Sequence, residues 1–206
     1  MAGKIGSGSR EKKNAWTVWG SIVVGLLMAT SIIGLMLVNY GSSSETLKYG
    51  KHKFERQADG SLITKVNGRA VSFTYFPGEI EYIVLNQSAV DMLKGTRMLY
   101  VTSDYQGNFS QAIAAVEFDF SKALYEHYGI FVVQGFAQNV SSFPVVSCAN
   151  ATSFVPVVSF KEGTDNEGFS ESGSCLTAEA GSYEGFVKLR DRLLYGLLGV
   201  IDGRKS

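Results

Sequence analysis

From Ala15 to Val38 the chain runs for 24 residues without a charged side chain. As a helix that stretch measures about 36 Å at 1.5 Å per residue, enough to cross a hydrocarbon core of about 30 Å. Trp16, Trp19 and Tyr40 flank it, where amphipathic rings settle at headgroup level. The run predicts a transmembrane helix over 15–39, and its partner is then the lipid bilayer. A cleaved signal peptide has the same order of basic, apolar and small residues, but its apolar core is shorter, about 15 residues at most. A buried core helix is the third alternative.

Charge follows the same division. Residues 1–14 carry Lys4, Arg10, Lys12 and Lys13 against Glu11, a balance of +3, and the rest of the chain carries −3, for a net charge of zero. A basic leader before an apolar run places the amino terminus inside the cell and the remainder outside the cytoplasm. Ser21, Gly25 and Ala29 recur every four residues on one stripe, where a second helix backbone can approach closely. A neutral chain of 206 residues with 18% charged side chains excludes a basic nucleic-acid binder, a disordered tail and a multidomain enzyme.

Residues 40–50 read as a tether, and 51–206 as one α/β domain. Asp59-Gly60 and Asn67-Gly68 separate segments rich in β-branched and aromatic residues, which predicts a three-stranded antiparallel meander. A short helix is expected around Ser88 to Leu93, then a strand over Arg97–Thr102. Ile113, Val116, Phe120, Ala123, Leu124 and Tyr128 follow at helical spacing, stopped by Gly129. Ile130–Phe136 reads as a buried strand, so strand, helix and strand form a parallel crossover. FVPVVSFKEG and SCLTAEA read as an antiparallel pair across a hydrophilic loop, and YEGFVKLRDRLLYGLLGVI as a closing amphipathic helix.

That order of elements, with the proline-led strand FVPVVSFKEGT, resembles thioredoxin-like domains over residues 97–200. The resemblance implies a thioredoxin-like three-layer sandwich, with a cis peptide at Pro156 and a substrate backbone contact at Val155. Where that family carries Cys-x-x-Cys, this chain has Tyr105, Gln106, Gly107 and Asn108, so the resemblance implies a redox-inactive peptide-binding surface at Val155, Pro156, Tyr105 and Gln106. CANATSFVPVVSF and DRLLYGLLGV are similar to segments of membrane-anchored archaeal proteins of unassigned function, from which no activity carries over.

Cys148 and Cys175 are the only cysteines, too few for a four-cysteine zinc site. In an oxidising compartment they read as a structural disulfide; two free buried thiols are the alternative. Asn86, Asn108, Asn139 and Asn150 each precede Ser or Thr by two positions, all after the apolar run, and are candidate N-glycosylation sites. His52 and His127 read as surface or helix-end residues, and Asp104 with Asn108, or Asp165 with Glu167, as solvated loop residues. Glu117, Asp119, Arg190, Asp191 and Arg192 interrupt apolar helix surfaces and read as charge pairs on exposed faces, with one partly buried structural carboxylate as the alternative. No catalytic residue, metal site or cofactor is expected.

The chain therefore reads as a membrane-anchored extracytoplasmic binding or assembly module, acting on a protein partner or on further copies of itself. The alternatives are a cell-envelope thiol-disulfide enzyme or hydrolase, and an accessory subunit of a membrane complex.

Overall fold

The computed structural model describes residues 11–40, 45–140, 142–163 and 166–203, with α1 side chains described over 19–34. The chain divides into two units, Met1–Ser44 and Glu45–Ser206.

The first unit contains α1 (Glu11–Tyr40). Between Trp19 and Ile33 its large apolar side chains are all more than half exposed. The expected transmembrane helix is corrected here: among the described residues no helix is long and apolar enough to cross a membrane. Ser21, Gly25 and Ala29 lie on α1, and a side chain at Gly25 would meet open space. The side chains of Trp16 and Tyr40 are outside the described residues.

The second unit opens with β1 (Thr46–Tyr49), β2 (His52–Arg56), β3 (Leu62–Val66) and β4 (Arg69–Phe73), paired antiparallel in that order. The meander therefore has four strands: Thr46–Tyr49, read as tether, pairs with β2 from Thr46↔Glu55 to Tyr49↔His52. Alternation assigns the faces. Phe54, Leu62, Val66, Val71 and Phe73 are buried, whereas Lys53, Glu55 and Lys65 are exposed. Asn67 and Gly68, at φ 52° and 80°, make the two-residue turn between β3 and β4.

After α2 (Pro77–Ile80) and α3 (Gln87–Lys94) comes the second sheet: β5 (Met98–Ser103), β6 (Phe131–Phe136), β7 (Val157–Glu162), β8 (Gly168–Ser172) and β9 (Cys175–Ala180). Their order is β6-β5-β7-β9-β8. β5 is parallel to β6 across α4 (Ser110–Tyr128), as the crossover reading expects.

The rest of the sheet corrects the thioredoxin-like sandwich. β7 runs parallel to β5, and β7 and β9, expected as an antiparallel pair, are also parallel. The cause is β8, which lies in the segment read as a hydrophilic loop and forms a hairpin with β9. β9 therefore returns in the direction of β7. No cis peptide occurs among the described residues, so the bond before Pro156 is trans.

α5 (Tyr183–Leu198) is also corrected. It is not amphipathic in its setting: from Gly185 to Leu198 only Lys188 escapes full burial. Helices α4 and α5 lie between the two sheets. Tyr195 stacks on Phe73 of the meander at 4.0 Å, and Phe120 of α4 meets Phe160 of β7 at 6.5 Å. Ser182 caps α5 by accepting the Gly185 N–H, and Gly199, at φ 69°, ends it. On the far face of the second sheet Val146, Val157 and Cys175 form a smaller apolar cluster.

Candidate functional site

Two sheet edges and one crevice carry the polar groups that matter. The proline-led strand is the place to begin, because the resemblance puts a peptide site there. Val155 donates its N–H to Thr152 Oγ1 and its carbonyl accepts the Thr152 N–H, both at 3.0 Å, while the Pro156 carbonyl accepts the Tyr100 N–H at 3.0 Å. Their backbone groups are thus used within the chain. Tyr105 and Gln106 follow the carboxyl end of β5, whereas Val155 and Pro156 precede the amino end of the parallel strand β7. A strand of six residues separates the two pairs by about 20 Å, so the structure does not bring these four residues together.

The crevice at the carboxyl ends of β5 and β7 is where strand order reverses, the usual ligand position in open α/β sheets. Here it is filled by the protein itself. The Glu162 carboxylate accepts the Phe109 N–H at 2.7 Å and faces Asn108 Nδ2 at 3.4 Å. It thereby occupies the positive end of α4. A Cβ at Gly107 would collide with this carboxylate, so glycine is required for the approach. Asp104 accepts the Gln106 N–H and the Gln138 amide, which uses both of its oxygens. Among the described residues no group of three or more His, Cys, Asp or Glu side chains could hold a metal ion; Asp165 lies outside them.

Glu117 sits on the inner face of α4, 4% exposed. Burial pushes its carboxyl up to about 7, opposed by the Ser103 hydroxyl. It is not part of the cleft along β4 described below, and its buried carboxyl couples protonation to stability.

Cys148 and Cys175 form a disulfide, with their Cα atoms 5.3 Å apart. It joins an exposed 3-10 turn (Cys148–Asn150) to the first residue of β9. By chain-entropy bookkeeping a loop of this length contributes about 3.5 kcal/mol. Of the four candidate glycosylation sites, Asn108, Asn139 and Asn150 are exposed and Asn86 is half-buried before α3. Asn150 Oδ1 accepts the Ser147 N–H at 2.8 Å.

A cleft of about 410 Å³ runs along the unpaired edge of β4. One wall is Ala70 to Thr74; the other is α4, presenting Asp119, Lys122, Glu126 and His127; Arg190 and Leu194 of α5 form the floor. In a two-residue hairpin the closing residues Val66 and Arg69 exchange hydrogen bonds, so Val71 and Phe73 also bond to β3. Ala70 and Ser72 then turn their N–H and C=O groups into the cleft. At its far end the edge is closed. Asp191 Oδ2 accepts the N–H groups of Thr74 and Tyr75 at 2.8 and 2.9 Å.

Electrostatics divide this cleft along its length. Arg190 lies 3.2 Å from Asp191, without hydrogen-bond alignment, and 3.9 Å from Asp119. The Thr74 end therefore carries two carboxylates on one guanidinium. Burial pushes Asp191 up to about 6, against the pull of Arg190 and of the two N–H groups. At the opposite end His127 is held below its ordinary value by burial and by Arg69. The charges themselves were visible in the sequence; their meeting with a strand edge was not, because β4 and α4 are separated by more than 35 residues and neither carries a recognisable motif.

Family models, curated proteins and solved structures contain no match to this chain, and what it can bind or do rests on these side chains alone.

Proposed function

We propose that this protein is a polypeptide-binding module that takes up an extended segment of a protein partner at the edge of β4. The observation that carries this reading is the cleft of about 410 Å³ between an unpaired strand edge and α4. Strand addition draws affinity from main-chain hydrogen bonds and selectivity from pockets for alternate side chains. Ala70 and Ser72 supply the first. Val71, Ala123 and Leu194 offer apolar surface for the second, and Asp119, Lys122 and Glu126 offer charge of both signs. The charge gradient favours a segment whose basic side chain lies at the Asp119 end and whose acidic side chain lies near Arg69.

The bridge between Cys148 and Cys175 supports work in an oxidising, extracytoplasmic compartment. Both cysteines of the chain are engaged in this bridge. Alkylation of free thiols before cell lysis tests the compartment: an alkylated pair would count against it.

Binding is tested with a pool of synthetic nine-residue peptides carrying Lys and Glu at opposite ends, titrated into the full chain and followed by amide resonances. Shifts at Ala70 and Ser72 are expected, together with their loss in Ser72→Pro, which removes an outward N–H from an edge strand. Undisturbed β4 amides, or equal binding by Ser72→Pro, would overturn the reading.

A further inference from the structure

We propose that the cavity beyond Thr74, between α4 and α5, is a pocket for an alkylammonium group. The segment held along β4 supplies that group, so its source rests on the reading above, whereas the pocket stands on its own walls.

This cavity, about 200 Å³, shares Thr74, Asp119 and Arg190 with the cleft along β4, so the two are continuous. Backbone pairing stops where they meet. Asp191 takes the N–H groups of Thr74 and Tyr75, and the Tyr75 carbonyl accepts the Tyr195 hydroxyl at 2.7 Å. A strand laid along Ala70 and Ser72 therefore finds no further N–H to pair with, and only a side chain or a chain end can pass on. Val116 and Val187, 3% and 5% exposed, make an apolar wall beyond that point, and Tyr75 and Tyr183 add two rings. Such a lining suits an alkyl stem, which has no hydrogen-bonding group of its own.

The charge at the mouth selects a cation. Asp119 and Asp191 share the single guanidinium of Arg190, at 3.9 and 3.2 Å, and neither contact is an aligned hydrogen bond. Asp119 has the longer contact and lines both cavities with its side chain half exposed. Glu79 and Glu184 add negative field at Tyr75, against Lys188, whose own charge is met by Glu167 at 2.6 Å. This ring already carries one ammonium, since Lys188 Nζ lies 5.8 Å from its centre. The surplus of carboxylates is what remains for a second. An ammonium needs one carboxylate oxygen and a ring face, whereas a guanidinium is built for a two-oxygen fork, which Asp119 does not present while Arg190 faces its Oδ2. The amino terminus of a peptide and the side chain of a lysine share this chemistry.

The test uses the full chain, with small probes before peptides. n-Butylammonium chloride, followed by the methyl resonances of Val116 and Val187, is expected to give saturable shifts, and 1-butanol to bind roughly threefold or more weakly. Asp119→Asn, at an exposed helix position, is expected to weaken n-butylammonium by a similar factor with unchanged circular dichroism. Nine-residue peptides then identify the source. Acetylating the amino terminus removes one ammonium, replacing lysine by norleucine removes the other, and the change that costs affinity names the group in the pocket. n-Butylammonium that binds no better than 1-butanol, or equally well to Asp119→Asn, would overturn the pocket even where peptides still shift Ala70 and Ser72. Peptides that bind along β4 equally well without either ammonium would overturn its supply by the segment. Peptides that leave β4 unmoved while n-butylammonium binds would instead sink the strand-edge reading, and the pocket would stand.

Discussion

The Asp191 carboxylate accepts the Thr74 backbone N–H at 2.8 Å across 117 positions of sequence, and so fastens the end of the meander to the last helix. Asp191 is fully buried beside Arg190. Asp191→Ala leaves two backbone donors without their acceptor and the Arg190 guanidinium without its nearest counter-charge, so a loss of about 3–5 kcal/mol is expected. Urea denaturation measures it. A change below about 1 kcal/mol would mean that the meander is held by its aromatic contacts instead.

Stability should fall as pH rises. Glu117 and Asp191 titrate near 7 and 6 in the folded chain, above their ordinary 4.5 and 3.8. The folded chain thus binds more protons than the unfolded chain between those values. Their contribution is complete below the lower values and is lost as pH passes through 6 and then 7. For Glu117 alone the gap corresponds to roughly 3 kcal/mol. Urea midpoints for Glu117→Gln should fall less between pH 5 and pH 8 than those of the parent chain, the fall that remains belonging to Asp191.

Removing the bridge in the Cys148→Ser, Cys175→Ala double variant should cost about 3.5 kcal/mol. The variant is expected to fold, because the main core contains neither cysteine. An unaltered denaturation midpoint would show that the covalent link closes a loop already held by the Thr102 hydroxyl on the Val146 carbonyl at 2.7 Å.

Gly135→Ala should destabilise by about 1–3 kcal/mol through overpacking. A Cβ there would stand 2.6 Å from Val146 Cγ2 and 2.8 Å from the Pro144 carbonyl. Thermal melts of Gly135→Ala and Gly168→Ala separate packing from backbone effects, since a Cβ at Gly168 meets nothing within 4 Å.

Local signals in the sequence carried the elements built from periodic residues. α4 stops at Gly129, which adopts φ 64°, and the Asn67-Gly68 turn, the crossover and the disulfide all follow from their residues. What failed depends on partners distant in the chain. β8 reads GFSES, a polar run that is a strand only because β9 pairs with it. Thr46–Tyr49 resembles a tether until β2 lies beside it. The charges Arg190, Asp191 and Arg192 look like one solvated turn of an amphipathic helix. Arg192 in fact donates to the Ile83 carbonyl at 2.9 Å inside the core, because a sheet covers each side of α5. The cleft was beyond local reading for the same reason, since it lies where a hairpin edge meets a helix from another layer.

The position of α5 also orders events during synthesis. Both sheets bury their inner faces against it, yet it is synthesised after every strand. Until Leu198 has emerged, the upstream strands have no wall to close on, so the body is committed to folding only once α5 has been made rather than strand by strand. A nascent chain stalled before Tyr183 should therefore keep its apolar strands open to chaperones.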